Sequence, residues 1–176
     1  MSGVSFDQVE MWMEHLSEDS APEEQEEAVR GLIEYVQNDE RRETSFLQKI
    51  FLGGDGHVRT RHNAARVVAA LDDDIIEYYA PLCLDWLKDA NWPGADIIFD
   101  RLTVARGGYI DAEIERVLRV CERYNRYPHP RLWAEVLRDL QKYRAAYASG
   151  NPLCGYSLYV DVGYRGEAPQ SADKAP

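Results

Sequence analysis

The chain has 176 residues, of which 45% are hydrophobic and 29% are charged, a balance typical of a single globular domain. Its formal net charge of -11 makes it a poor match for nucleic acid or for an anionic membrane surface. No apolar run approaches the roughly 18 residues of a membrane span, and the acidic, amphipathic N-terminus is unlike a signal peptide. The three cysteines are widely spaced, which favours a reducing cytoplasm over a disulfide framework.

The negative charge is concentrated at the N-terminal end. Residues 1–29 contain nine acids and no Lys or Arg, whereas the rest of the chain carries 20 basic residues against 22 acids. The nine acids are Asp7, Glu10, Glu14, Glu18, Asp19, Glu23, Glu24, Glu26 and Glu27. This end is either a solvated face that aids solubility or a docking surface for a basic partner. The strong asymmetry favours docking, because solubility alone does not require it.

Two amphipathic helices are predicted within this acidic end. The first has capping-box spacing between Ser5 and Gln8. Its apolar face consists of Val9, Trp12, Met13 and Leu16. The second is predicted to begin with Ser20 as the N-cap, Pro22 in the first turn and Glu23 closing another capping box. Its apolar stripe consists of Val29, Leu32, Ile33 and Val36.

Helical periodicity continues along the body of the chain. Further helices are predicted over 46–53, 61–71, 75–89, 94–104, 112–125 and 131–144. Gly53 and Gly54 are predicted to stop one helix, and residues 72–74 to form a turn and N-cap. Asn91 is predicted to be a left-handed C-cap residue, and Pro93 to open the next helix at N1.

These elements predict an all-α fold of about eight helices. Three consecutive pairs of helices, and small residues at matching positions of the second helices (Ala64, Ala95 and Ala134), favour HEAT-like stacked helical hairpins over a bundle. Residues 1–150 are predicted to form a single helical-repeat domain. Alternating apolar residues predict an extended or β arm over 151–164, and the composition of 165–176 is that of a disordered tail.

The segment from Trp86 to Ala95 reads W-L-K-D-A-N-W-P-G-A. It resembles the W-L-x-D-x-N-W-P-x-A segment of a small bacterial family of HEAT-like helical domains, with looser similarity over 75–105. The resemblance implies a bacterial, cytoplasmic helical repeat of the type encoded beside polymorphic toxins as immunity proteins. The residues themselves favour a structural role in which Trp86 and Trp92 pack at a turn, with a ligand role for the tryptophans as the alternative.

The sequence carries no recognisable catalytic, metal-binding or cofactor-binding motif. The four histidines lack ligand spacing, and the glycines at 53, 54 and 56 are not followed by the Lys-Ser/Thr of a phosphate-binding loop. Cys83 and Cys121 lie on apolar stripes and are predicted to be inert core residues. We therefore expect no metal, no cofactor and no enzymatic activity.

A basic segment, HVRTRHNAAR, contains Arg59, Arg61 and Arg66. One interpretation is a contact with phosphate or nucleic acid. The other, which we favour because solenoid faces often carry charges of both signs, is that these arginines pair with the protein's own acids.

Together these features predict a non-enzymatic protein-binding module. The specific hypothesis is a bacterial immunity protein that neutralises a cognate cationic toxin, with a nuclease favoured because nuclease clefts are basic. The candidate partner-binding residues are Glu23, Glu24, Glu26, Glu27, Trp92, Asp96, Asp100, Glu135 and Asp139. The last four are two i, i+4 pairs predicted to line one outer face. The alternatives are a HEAT-like scaffold or adaptor in a bacterial regulatory complex and, less favoured, a helical-repeat enzyme.

Overall fold

The computed structural model describes residues 4–38, 44–52, 58–124 and 128–150. All regular secondary structure in these residues is α-helical, which confirms the predicted fold class. The predicted arm (151–164), the predicted tail (165–176) and the helix stop at Gly53 and Gly54 lie outside the described residues.

Nine helices occupy the described ranges. They are α1 (Phe6–His15), α2 (Pro22–Asn38), α3 (Thr44–Phe51), α4 (Val58–Ala69), α5 (Asp73–Tyr78), α6 (Ala80–Trp86), α7 (Ala95–Val104), α8 (Gly108–Arg123) and α9 (Pro128–Ala148). Helices α4, α8 and α9 all begin earlier than predicted. None of the nine combines the length and apolar character needed to cross a membrane.

The helices pair and stack in chain order. Helix α1 packs against α2, α3 against α4, α6 against α7, and α8 against α9, so the chain forms successive helical hairpins. The second helices of these hairpins also contact one another, in the order α2, α4, α7 and α9. This is the predicted stack of helical hairpins, in which each hairpin packs chiefly on its neighbours.

A continuous apolar core lies between the stacked helices. Side chains from successive hairpins are fully enclosed in it, among them Leu32, Phe51, Ile76 and Phe99. Burying a large apolar side chain contributes about 1.5–3 kcal/mol, so the shared core is the main force joining the hairpins. The acidic α1 is anchored by the same force, because it buries Val9 and Met13.

The start of each N-terminal helix follows capping chemistry. The hydroxyl of Ser5 accepts a hydrogen bond from the backbone N–H of Gln8, at 3.2 Å, as predicted. The predicted cap of α2 is wrong by one residue. Pro22 is the first helical residue, and the carboxylate of Glu24, not Glu23, accepts the N–H of Ala21 at 3.0 Å. The capping interaction therefore joins Ala21 to Glu24, three residues later, rather than Ser20 to Glu23.

The long helix predicted over 75–89 is two helices, α5 and α6, broken at Tyr79. Pro81 causes the break, because it has no N–H to donate to the carbonyl of residue 77 and its ring clashes there. It instead occupies the first turn of α6, where no such donor is needed. The part of the chain that the structure describes therefore contains nine helices rather than about eight.

The turn between α6 and α7 also differs from its prediction. Helix α6 ends at Trp86, and α7 begins at Ala95 rather than at Pro93. The left-handed residue is Gly94, with φ of 81°, and it precedes α7. A Cβ on Gly94 would lie 2.4 Å from the Cβ of Ala65, so glycine allows this turn to approach α4 closely.

Candidate functional site

The acids of the N-terminal end are all exposed, but two of them are engaged with the basic segment of α4. Asp19 forms an ion pair with Arg59. Both carboxylate oxygens of Glu26 accept hydrogen bonds from Arg66, at 2.7 and 2.8 Å. For Arg59 and Arg66, pairing with the protein's own acids is therefore the correct interpretation.

Hydrogen bonds from arginine lower the pKa of both of these acids. The bond from Arg59 is the largest cause that holds the pKa of Asp19 below its usual value. The bond from Arg66 does the same for the pKa of Glu26, with a smaller contribution from the positive charge itself. Both acids are therefore ionised clamps between the N-terminal hairpin and α4.

Seven other N-terminal acids are exposed and form no ion pair within the described residues. One of them, Glu24, caps α2 with its carboxylate. We call the remaining six the acidic surface: Asp7, Glu10, Glu14, Glu18, Glu23 and Glu27. Of the four glutamates predicted for docking on α2, the structure thus leaves two uncommitted and uses Glu24 and Glu26 internally.

The acidic surface lies on the helix faces that point away from the core. On α1, Asp7, Glu10 and Glu14 share one face by their spacing of three and four residues, opposite the buried Val9 and Met13. On α2, Glu23 and Glu27 are likewise one turn apart and exposed. Like charges at i, i+4 destabilise a helix by about 0.2–0.5 kcal/mol per pair. The helix dipole favours Asp7 and Glu23, which lie in first turns, but it does not account for the acids further along these helices.

The second predicted acidic face is less uniform. Asp96 and Asp100 are exposed one turn apart on α7. Burial raises the pKa of Asp100 above its usual value, and the charge of Asp96 adds to that shift. On α9, however, Glu135 pairs with Arg131 at 3.4 Å and Asp139 is half-buried. The four acids therefore do not form one face of equally available charge.

Trp92, the predicted aromatic contact, is half-buried and has a cation on its ring. The guanidinium carbon of Arg61 lies 3.7 Å from the centroid of Trp92 and 5.8 Å from that of Trp86. The indole N–H of Trp86 donates to the carbonyl of Pro93 at 3.3 Å. The segment from Trp86 to Ala95 is thus a packed turn, as interpreted, but with an arginine from α4 as an unforeseen component.

Two tyrosines at the ends of α8 are also exposed. Tyr109, near the start of α8, is 50% exposed, and Tyr124, just after its end, is 57% exposed.

A groove of about 700 Å³ lies where the end of α7 meets the start of α8 and the last turns of α9. Its central charge is the buried Arg144, which was not predicted from the sequence. Arg144 contacts the carboxylate of Asp111 at 2.6 Å and donates to the carbonyl of Ala105 at 2.9 Å. It also donates to the carbonyls of Leu102 and Gly107. These bonds stabilise the end of α7 and leave little binding capacity on Arg144.

The thiols and ligand-type side chains show no catalytic arrangement in the described part of the chain. Cys83 and Cys121 are buried and free, and burial raises the pKa of Cys83 to about 12. This confirms them as core residues. Within the same residues, no group of three or more His, Cys, Asp or Glu side chains is placed to share a metal ion.

Comparison with a set of protein-family models, with curated proteins and with solved structures found no match to this chain. The resemblance of the segment from Trp86 to Ala95 to a bacterial helical family therefore stays a prediction.

Proposed function

We propose that the protein is a non-enzymatic binding module that docks a cationic protein through the acidic surface. More specifically, we propose a bacterial, cytoplasmic immunity protein that neutralises a cognate toxin. The observation that carries this proposal is the set of six exposed carboxylates on α1, α2 and their connection, unpaired within the described residues.

The rest of the protein differs from the acidic surface in how its charges are paired. In the described residues, arginines of the body are paired with acids of the same chain, among them Arg66, Arg101, Arg116, Arg131 and Arg144. The net negative charge is concentrated at the N-terminal end, where residues 1–29 contain nine acids and no Lys or Arg. Such a field steers an oppositely charged partner and raises its association rate, by about 10–1000-fold at low salt.

A nuclease is the toxin class that best fits this surface. An enzyme that binds a phosphate backbone needs a basic cleft, and a row of carboxylates competes for the same cleft. The clamps Asp19–Arg59 and Glu26–Arg66 support this role, because they hold the N-terminal hairpin on the body. The acidic surface is thereby presented on an ordered hairpin, which lowers the entropy lost on binding.

A HEAT-like scaffold in a regulatory complex is the second candidate. The stacking of α2, α4, α7 and α9 favours it, since stacked hairpins offer an extended surface to a partner. The two candidates predict different partners. A toxin is harmful when it is expressed alone, whereas the partner of a scaffold is harmless.

Co-expression with the product of the neighbouring gene tests the proposal. We expect a basic protein to co-purify, and its expression alone to arrest growth through degraded nucleic acid. Co-expression of this chain should restore growth. A co-purifying partner that is harmless alone would contradict the immunity proposal and favour the scaffold. Failure of any basic protein to bind would contradict docking itself.

A further inference from the structure

Arg61 differs from the other partly buried arginines. In the described residues, the arginines that are not fully exposed are Arg61, Arg66, Arg101 and Arg144. The last three each form an ion pair with an acid of a different helix: Glu26, Asp73 and Asp111. The guanidinium of Arg61 forms no hydrogen bond or ion pair with any other described residue, and it lies over the rings of Trp92 and Trp86.

This position is costly for a cation that lacks a carboxylate. Burial lowers the pKa of Arg61, and the nearby charge of Asp85 offsets that effect only in part. Asp85 is itself in an ion pair with Lys88. An arginine held in such a place with its donors unused is well suited to accept an anion from outside.

Stacking on Trp92 orients the guanidinium of Arg61 to bind an anion. A guanidinium has five N–H donors in its own plane, and contact with an aromatic ring uses its face rather than those donors. The ring therefore restricts the side chain while leaving its hydrogen-bonding capacity intact. Arginine and tryptophan are also the residue types most enriched among dominant contacts in protein interfaces.

The surroundings limit which anion fits. Lys88 lies 5.0 Å from the ring centroid of Trp133, so a second cation on an aromatic ring stands beside Asp85. The turn also carries Asp89, whose carboxylate accepts the N–H of Asn91 at 3.0 Å. With Asp85 nearby, Asp89 in the same turn and a net charge of -11, a polyanion is disfavoured and a single carboxylate is the matching ligand.

We propose that Arg61, stacked on Trp92, is a carboxylate-binding point that takes an acidic side chain of the partner protein. This inference rests on the proposed function only in naming a protein as the source of the carboxylate. The interface would then combine the acidic surface with one preformed cationic contact, which fixes the orientation of the partner as well as its attraction.

An NMR titration tests the site without the partner. The probe is acetyl-aspartate amide, which carries a single carboxylate, added to the folded protein while the Arg61 Nε–H and Trp92 indole resonances are followed. We expect a saturable shift at both, and none with the isosteric acetyl-asparagine amide. Arg123 is the internal control, since it is exposed and unpaired within the described residues. Shifts that are absent, or equal at Arg123, would overturn the proposal.

Two further titrations identify which anion binds at Arg61. Arg61→Lys keeps the charge but loses the planar fork, so we expect about tenfold weaker binding of the aspartyl probe. The matched Arg123→Lys variant should bind as the wild type does. Inorganic phosphate should shift Arg61 less than the aspartyl probe, and a stronger, saturable shift would replace the carboxylate proposal with a phosphate site. If the titration fails while the acidic surface still governs association with the partner, this inference is wrong and the proposed function stands.

Discussion

The carboxylate of Glu26 on α2 accepts two hydrogen bonds from the guanidinium of Arg66 on α4. The same guanidinium donates to the side-chain oxygen of Asn63 at 3.1 Å, and Asn63 donates to the carbonyl of Leu16 at 3.0 Å. A glutamate predicted for docking is thus part of the network that joins the acidic hairpin to the body. Reversing its charge would change the fold's own contacts as well as any interface.

Acidification should weaken these clamps. The pKa values of Asp19 and Glu26 are lowered in the folded protein from ordinary values of 3.8 and 4.5. Their contribution is therefore complete above those ordinary values and is lost as the pH falls through the lowered ones. We expect the free energy of unfolding contributed by the clamps, measured with urea, to begin to fall below about pH 5 and to continue falling through pH 3.

The control for this prediction is the double variant Arg59→Gln, Arg66→Gln. It should be less stable than the wild type near neutral pH, and the difference should shrink as the pH is lowered. The comparison removes the effect of the other acids, whose mutual repulsion is relieved by protonation in both proteins. A difference that stays constant from pH 7 to pH 3 would contradict the assignment of the clamps.

Gly94→Ala should destabilise the fold by both backbone strain and overlap. The left-handed conformation costs about 1–2 kcal/mol for a residue with a Cβ. The overlap with Ala65 adds about 1–3 kcal/mol. Gly150→Ala is the matched control, because Gly150 also has positive φ, of 75°, but no atom of the described residues lies within 4 Å of its Cβ position. Equal losses for the two variants in thermal unfolding would show that the close approach is unimportant.

Arg144→Met should be among the most damaging single substitutions. It removes the cation from Asp111 and leaves the carbonyls at the end of α7 without their donor. Asp111 is itself 54% exposed, so the loss comes mainly from the buried carbonyls, at about 1–3 kcal/mol for each acceptor left without a donor. Arg119→Gln serves as the comparison, since the pair with Glu115 is exposed and 3.8 Å long. Chemical denaturation should show little change in the free energy of unfolding for Arg119→Gln. A similar loss of stability in both variants would contradict the role given to Arg144.

The two core thiols should be unreactive in the folded protein. Cys83 has a pKa of about 12 and is buried, so its reactive thiolate is scarce and shielded at pH 8. Burial also raises the pKa of Cys121. We expect iodoacetamide to label the peptides that contain Cys83 and Cys121 only after denaturant is added. Labelling of either peptide in the native protein at the rate of free cysteine would disprove this.

Local sequence signals predicted the elements that depend on local chemistry. The apolar spacing of Val9 and Met13 and the cap at Ser5 were sufficient for α1, because neighbours along the chain determine both. The break at Tyr79 was also encoded locally, in Pro81, but the apolar periodicity across it outweighed that signal in the prediction. The left-handed position of Gly94 was assigned to Asn91, although glycine meets that need at lower cost.

Contacts between distant residues were beyond the sequence signals. Arg61 and Trp92 are separated by 31 positions, and neither has a spacing that indicates the other. Arg144 reaches Asp111 from the next helix, where an arginine on a helical face looks the same whether it is solvated or buried. The candidate acids were found by composition, but which of them are already paired depends on how the helices stack.

The central claim is that the unpaired acids of α2 attract a cationic partner. The direct measurement compares Glu23→Lys, Glu27→Lys with Asp96→Lys, Asp100→Lys. Both double variants reverse two exposed acids one turn apart and change the net charge equally. Association and dissociation rates with the co-purified partner are measured by stopped flow from 50 to 500 mM salt, after circular dichroism shows that both variants are folded.

We predict that the Glu23, Glu27 reversal slows association by about tenfold or more at low salt and flattens its salt dependence. The Asp96, Asp100 reversal should change the association rate and its salt dependence much less. Equal effects would mean that only net charge matters, and a larger effect of the α7 pair would place docking on the other face. Association rates that both reversals leave unchanged at every salt concentration would contradict electrostatic docking altogether.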